Sequence, residues 1–285
     1  MVKASVPSRA SEPSATPTIA WSLPKAGFAG DSSPRGRLGL PASRLSIPDS
    51  NKVHLWAASL DASPSILETF KLTLSSGELA RAARFHFSQH RSRFIVAHGW
   101  LRQLLGAYLS IPGAAVEFDH SPQGKPFLSG SAKSSELQFN MAHSDALALV
   151  AVARGTPVGI DVEWIRPLED AGDLVERFFS ARENSEFKSL PDEQKPFAFF
   201  NLWTRKEAWL KATGEGITQL LGSVEVSFIP GAPARLLSLP DPFLPISNWT
   251  MCDITPAPGF AAAVVVAQVP AALECRRWDH ERTGI

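Results

Sequence analysis

Gly159-Ile160-Asp161-Val162-Glu163 and, further along, Trp203-Thr204-Arg205-Lys206-Glu207-Ala208-Trp209-Leu210-Lys211 are the stretches from which the rest of the chain is read. In the first, Val158, Ile160 and Val162 alternate with Gly159, Asp161 and Glu163, so a strand puts the branched residues on one face and both acids on the other. Upstream, residues 146–152 form an unbroken apolar run and Arg154-Gly155-Thr156-Pro157 is turn chemistry, so a β-hairpin is the expected pairing. The second stretch predicts a helix from about residue 196 to about residue 212, with Pro196 in the first turn and Gly214 placed to stop it. Phe200, Trp203, Glu207 and Lys211 share one stripe of that helix, so two charges interrupt its apolar face.

Taken singly, the strand acids read as a solvated face and the Glu–Lys pair as an exposed pair at helical spacing. Taken together, a charge on a core-facing stripe needs a partner, because burying an unpaired ion is costly. Three carboxylates, Asp161, Glu163 and Glu207, make the oxygen ligand set that magnesium prefers, completed by substrate phosphates and water. Lys211 adds a cation suited to a pyrophosphate.

The chain has 285 residues, 44% hydrophobic and 20% charged, which bounds it to one large globular domain or two lobes. Lys+Arg and Asp+Glu are both 28, so no global charge argues for nucleic acid as the partner. Two cysteines, Cys252 and Cys275, make neither a disulfide scaffold nor a zinc site, and a reducing, cytoplasmic setting is the expectation. No apolar run is long enough to suggest a membrane span.

Residues 1–48 are rich in Ser, Pro, Ala and Gly without periodicity and are expected to be a disordered arm. Residues 49–155 are read as an N-terminal lobe, 156–270 as a C-terminal lobe and 271–285 as a polar tail. Both lobes pair helices with small sheets, an α+β pattern whose similar element order permits a distant duplication.

His143, in Phe139-Asn140-Met141-Ala142-His143-Ser144, lies at a strand entrance facing a cleft, where a lone histidine is as easily structural as ligand-binding. Arg81, Arg84, Arg91, Arg93 and Arg102 crowd a stretch holding one acid, Glu78. They read as a solvated basic face from which a subset could grip a phosphate. Lys125, in Gly124-Lys125-Pro126, is a single cation in a turn, and Ser180 with Glu183 is explained by helix capping. There is no GxxxxGK phosphate loop, no HExxH and no GxSxG.

In order, Arg84-Phe85, Arg93, Gly124-Lys125-Pro126, Phe139-Asn140 with His143-Ser144, Gly159 to Glu163, Arg177-Phe178-Phe179-Ser180 with Glu183, and Trp203 with Lys206-Glu207 and Lys211 resemble the surfactin-type 4′-phosphopantetheinyl transferases. The resemblance implies a monomeric pseudo-dimer of two similar α/β lobes, each a small, mostly antiparallel sheet with helices, and coenzyme A in the cleft between them. It implies that a serine of an apo acyl or peptidyl carrier protein attacks the pyrophosphate of coenzyme A, gaining phosphopantetheine and releasing adenosine 3′,5′-bisphosphate. Such carriers serve fatty-acid, polyketide or nonribosomal-peptide synthesis. By the same resemblance Asp161, Glu163 and Glu207 are magnesium ligands and Lys211 contacts the pyrophosphate. Glu183, or a metal-held carboxylate, takes the serine proton. Arg81, Arg93 and His143 hold the nucleotide phosphates, and Lys125 meets the adenine end. Two positions depart from the pattern: Ala142 stands where serine is frequent, and Glu78 where a basic residue is common. The alternatives are a coenzyme A- or carrier-binding module without turnover, and a metal-dependent phosphohydrolase.

Overall fold

The structure is a computed structural model that describes residues 19–20, 44–216, 220–268 and 272–280. The expected arm, residues 1–48, falls almost wholly outside the described residues. In chain order the first half comprises β1 (Ile19–Ala20), β2 (Lys52–Ser59), α1 (Pro64–Lys71), α2 (Ser76–Ala82), α3 (Ser88–Leu109), β3 (Phe118–His120), β4 (Pro126–Leu128), β5 (Leu137–Ser144) and β6 (Leu147–Arg154). The second half comprises β7 (Val158–Trp164), α4 (Ala171–Phe178), α5 (Ala181–Lys188), α6 (Lys195–Thr213), β8 (Glu225–Val226), β9 (Leu236–Ser238), β10 (Thr250–Thr255), β11 (Phe260–Val266) and β12 (Ala272–Arg277).

Two four-stranded sheets organise these elements, one ordered β12-β2-β6-β5 and the other β7-β11-β10-β1. Each lobe therefore runs strand, helices, hairpin, with the first strand lying beside the second strand of the hairpin. The pairings inside both β2-β6-β5 and β7-β11-β10 are antiparallel. This is the α+β class expected, with small antiparallel sheets carrying helices.

The sheets face one another across a largely apolar layer that includes Val53, Leu55, Leu149, Ala151, Val158, Ile160, Val162 and Val264, with buried Asn140 Oδ1 accepting from the Ile160 N–H at 2.8 Å. On the outside, α3 with Trp100, Leu104 and Leu105 covers the first sheet. α6 with Phe199, Leu202 and Trp209 covers the second. Because β6 is buried on both faces, its residues are apolar at every position up to Arg154, which is the unbroken run seen in the sequence.

The structure corrects two expectations. β6 and β7 do not form a hairpin: β6 already has β2 on one edge and β5 on the other, so β7 has no free edge there and pairs with β11 instead. The turn at 154–157 carries the chain from one sheet to the other. The stretch expected to be a polar tail supplies β12, which lies parallel to β2 with Ala272 opposite Lys52 and Arg277 opposite Ala57.

Candidate functional site

β7 turns Gly159, Asp161 and Glu163 toward α6 while Val158, Ile160 and Val162 enter the layer between the sheets. The helix comes close because Gly159 has no side chain: a Cβ there would stand 2.1 Å from the carbonyl oxygen of Ala208 and 2.3 Å from the backbone nitrogen of Ala212. That approach brings the last turns of α6 over the strand and sets Lys211 Nζ 2.6 Å from Asp161 Oδ1. Asp161 is 5% and Glu207 4% exposed.

The electrostatics follow from this burial. Burial pushes the Asp161 carboxyl up to about 6 against the pull of Lys211, and Glu163 adds to the rise. Burial and the charge of Asp161 push Glu207 up to about 7. Burial alone would lower Lys211, but Asp161, Glu207 and Glu163 outweigh it and hold its ammonium above the ordinary lysine range. Asp161 Oδ2 and Glu207 Oε1 are both buried without a hydrogen-bond partner. Among the described residues these are the only carboxylate oxygens so placed. Two orphaned acceptors beside each other in negative potential are a cost that a hard cation would remove.

Among the described residues, no three His, Cys, Asp or Glu side chains are already gathered around a metal position. Glu163 accepts a hydrogen bond from Ser144 Oγ at 2.7 Å and lies 4.0 Å from Arg166. The donor chemistry fits magnesium, with Asp161 and Glu207 each offering a buried oxygen without a partner and Glu163 on the same face of β7.

A cavity of about 250 Å³ opens beside Glu207 and Lys211, walled also by Gln123, Lys125 and Met141. It shares Gly124, Pro126, Asn140 and Met141 with a larger hollow of about 780 Å³ in the first lobe. Arg81, His98 and Arg102 line the larger hollow together with Glu78 and Glu117. His143 lies at the exposed rim of the same region, where desolvation by the surrounding walls lowers its imidazole and its neighbours His98, Lys211 and Arg81 lower it further.

Not every expected site residue joins this group. Glu183 is 1% exposed, with Oε2 2.5 Å from Lys206 Nζ and Oε1 accepting from the backbone of Val226 at 3.1 Å. It also completes the capping box of α5 with Ser180. Both oxygens are engaged, which gives Glu183 a structural post in this structure. Arg93 is held by Asp61 at 3.0 Å and Asp145 at 2.6 Å beside a different hollow, so it is spoken for by two carboxylates. Lys125 spends its ammonium on backbone carbonyls.

The sequence reading missed His98, which touches Glu78 at 3.4 Å and packs on Phe94 with ring centroids 4.1 Å apart. Phe94, His98 and Arg102 stand one helical turn apart, a spacing open to inspection in the sequence. It also missed Lys206 as the buried partner of Glu183. Glu78, expected as an anomaly, is a working part of the wall. Burial would raise its carboxyl, but hydrogen bonds from His98 and Ser75 and the charge of Arg102 hold it down at about 2.

A family model described as the 4′-phosphopantetheinyl transferase superfamily matches residues 157–265, and one described as the 4′-phosphopantetheinyl transferase N-terminal region matches residues 59–155. The 4′-phosphopantetheinyl transferase HetI of Nostoc sp. is 45% identical over 218 residues, which are 76% of this chain and 89% of the relative. The 4′-phosphopantetheinyl transferase psf-1 of Bacillus pumilus is 34% identical over 61% of this chain and 72% of its own. Sfp of Bacillus subtilis is 24% identical over 70% and 85%.

Proposed function

The chain belongs to the 4′-phosphopantetheinyl transferase superfamily, and from that premise we propose how its own residues serve the reaction. The protein transfers 4′-phosphopantetheine from coenzyme A to a serine of an apo carrier protein and releases adenosine 3′,5′-bisphosphate. The observation that carries the site assignment is the pair of buried carboxylate oxygens, on Asp161 and Glu207, that have no partner.

Asp161 and Glu207 would hold magnesium with Glu163 as the third ligand, and magnesium so held would neutralise charge on the pyrophosphate as it is displaced. Lys211, kept protonated by its acidic neighbours, faces the small cavity and contacts the same phosphates. The serine oxygen forms a bond to the phosphorus that carries pantetheine, and the bond from that phosphorus to adenosine 3′,5′-bisphosphate breaks. The serine proton passes to a carboxylate of the Asp161, Glu163 and Glu207 group, since Glu183 is engaged elsewhere. Arg81, which has no carboxylate within ion-pair reach among the described residues, faces the larger hollow and serves the nucleotide phosphates with His143 and His98.

Both walls of the cleft come from one chain, which favours a monomer. No described helix is long and apolar enough to cross a membrane, and we place the protein in the cytoplasm with its carrier substrates. Intact mass spectrometry of several apo acyl and peptidyl carriers, incubated with the protein, coenzyme A and magnesium, should show a phosphopantetheine adduct. Failure on every carrier would leave a binding module, and release of adenosine bisphosphate without any carrier would mark a phosphohydrolase.

A further inference from the structure

Lys125 sits in the turn between β3 and β4 of the first lobe, yet its Nζ reaches three backbone carbonyls of the second. It donates to Val158 on β7 at 3.3 Å and to Lys211 and Ala212 on α6 at 2.5 and 3.4 Å. The last carbonyls of a helix have no partner within the helix. In α6, Leu210 O is taken by the backbone N–H groups of Gly214 and Glu215. Lys125 takes the next two, and its positive charge lies at the negative end of the helix. The same ammonium holds the strand at Val158, next to Gly159, where strand and helix backbones come closest.

We infer that Lys125 is a positioning residue, a tether from the first lobe that fixes the end of α6 against β7 and so sets Lys211 and Glu207 relative to Asp161. This rests on the transferase reading, and it gives the Lys125 side chain a role other than the adenine contact that the resemblance implies for this position. The mechanical logic is that Asp161 and the pair Glu207/Lys211 ride on separate elements, and their separation is fixed where those elements are pinned. Gly159 permits the approach, and Lys125 locks it from the opposite lobe.

The test uses Lys125→Met, which keeps the length of the side chain and removes its donors, alongside Lys125→Arg, which restores them. With an apo carrier and saturating magnesium, Lys125→Met should lower kcat about 10- to 100-fold, the scale of a misplacement on the order of an ångström. KM for coenzyme A should change less than kcat, because binding and transition-state losses separate in these two constants. Lys125→Arg should recover part of kcat. Hydrogen exchange read without any ligand should speed at residues 210–216 in Lys125→Met and not in α3. A raised KM with kcat intact would show a ligand contact and overturn the inference. Unchanged kcat and unchanged exchange would overturn it as well. If Lys125→Met does not fold, Lys125→Arg decides alone: kcat within threefold of the parent and unaltered exchange support the tether, and a selective rise in KM refutes it. The parent protein runs in parallel, and its failure to modify any carrier would count against the transferase reading and not against the tether.

Discussion

The two lobes share one layout and differ in what they bury on it. On the helix-facing side of β2 the first lobe places His54, Trp56 and Ala58, whereas on the corresponding side of β7 the second places Gly159, Asp161 and Glu163. On that face of β2 the polar side chains are paired: Tyr108 OH lies 2.7 Å from His54 Nδ1 and accepts from Trp56 Nε1 at 2.8 Å. The second lobe leaves Asp161 Oδ2 and Glu207 Oε1 unanswered. One architecture thus carries a satisfied polar network in one lobe and an unsatisfied one at the matching place in the other, to which the proposal above assigns the chemistry.

The sharpest way to break this comparison is to neutralise the unsatisfied side. Glu207→Gln and Asp161→Asn should each lower the rate of carrier modification about 100- to 1000-fold, the range for removing one preorganised charge-stabilising group. Glu207→Gln should at the same time raise the melting temperature of the metal-free protein above pH 7, since it removes a buried charge. Activity close to the parent in both variants would end the assignment of these carboxylates.

Next in size is Gly159→Ala, whose Cβ would collide with the α6 backbone. It should cost about 3 kcal/mol in denaturant unfolding, at the upper end of overpacking effects. A shift of the midpoint by less than the error of the measurement would show that α6 has room to retreat.

A smaller effect is pH-dependent. Asp161 and Glu207 have folded pKa values, about 6 and about 7, above the ordinary 3.8 and 4.5, so the folded state binds their protons more tightly. Their contribution to stability is full below about pH 4 and is lost as pH rises through about 7. Metal-free protein should therefore lose up to about 1.4 kcal/mol per pH unit per group across that window. Magnesium should bind with proton release at pH 6 and almost none at pH 8.5, read by titration calorimetry in buffers of different ionisation enthalpy. Proton release that is equal at both pH values would contradict the raised acids.

The smallest change belongs to the first lobe. Tyr108→Phe strands His54 and Trp56 and should cost about 1–2 kcal/mol of stability while leaving kcat unaltered. A large fall in kcat would mean that the two networks are not separate.

How much of this was legible in the sequence depended on how local the deciding physics is. The limits of α6 were readable because Pro196 and Gly214 act on their own neighbourhood, and the split of β7 into two faces was readable because alternation is a property of consecutive residues. Charge on the buried stripe of α6 pointed to Glu207 and Lys211 for the same reason. The partner of β7 was not legible: turn residues at 154–157 announce a reversal but not which sheet the chain joins next. β12 escaped notice because Glu274, Arg276 and Arg277 hide an edge strand behind polar composition. The partners of Glu183 and Arg93 were not legible, because Lys206, Asp61 and Asp145 are distant in sequence.

The parallel pairing of β12 with β2 bears on synthesis. A ribosome adding about 5–20 residues per second delivers Ala272 about 10–45 s after Lys52. Through that interval the outer edge of β2 offers open amides and carbonyls to any passing strand. A stop codon shortly before β12 would leave the cleft residues all present on a protein in which β2 keeps a bare edge.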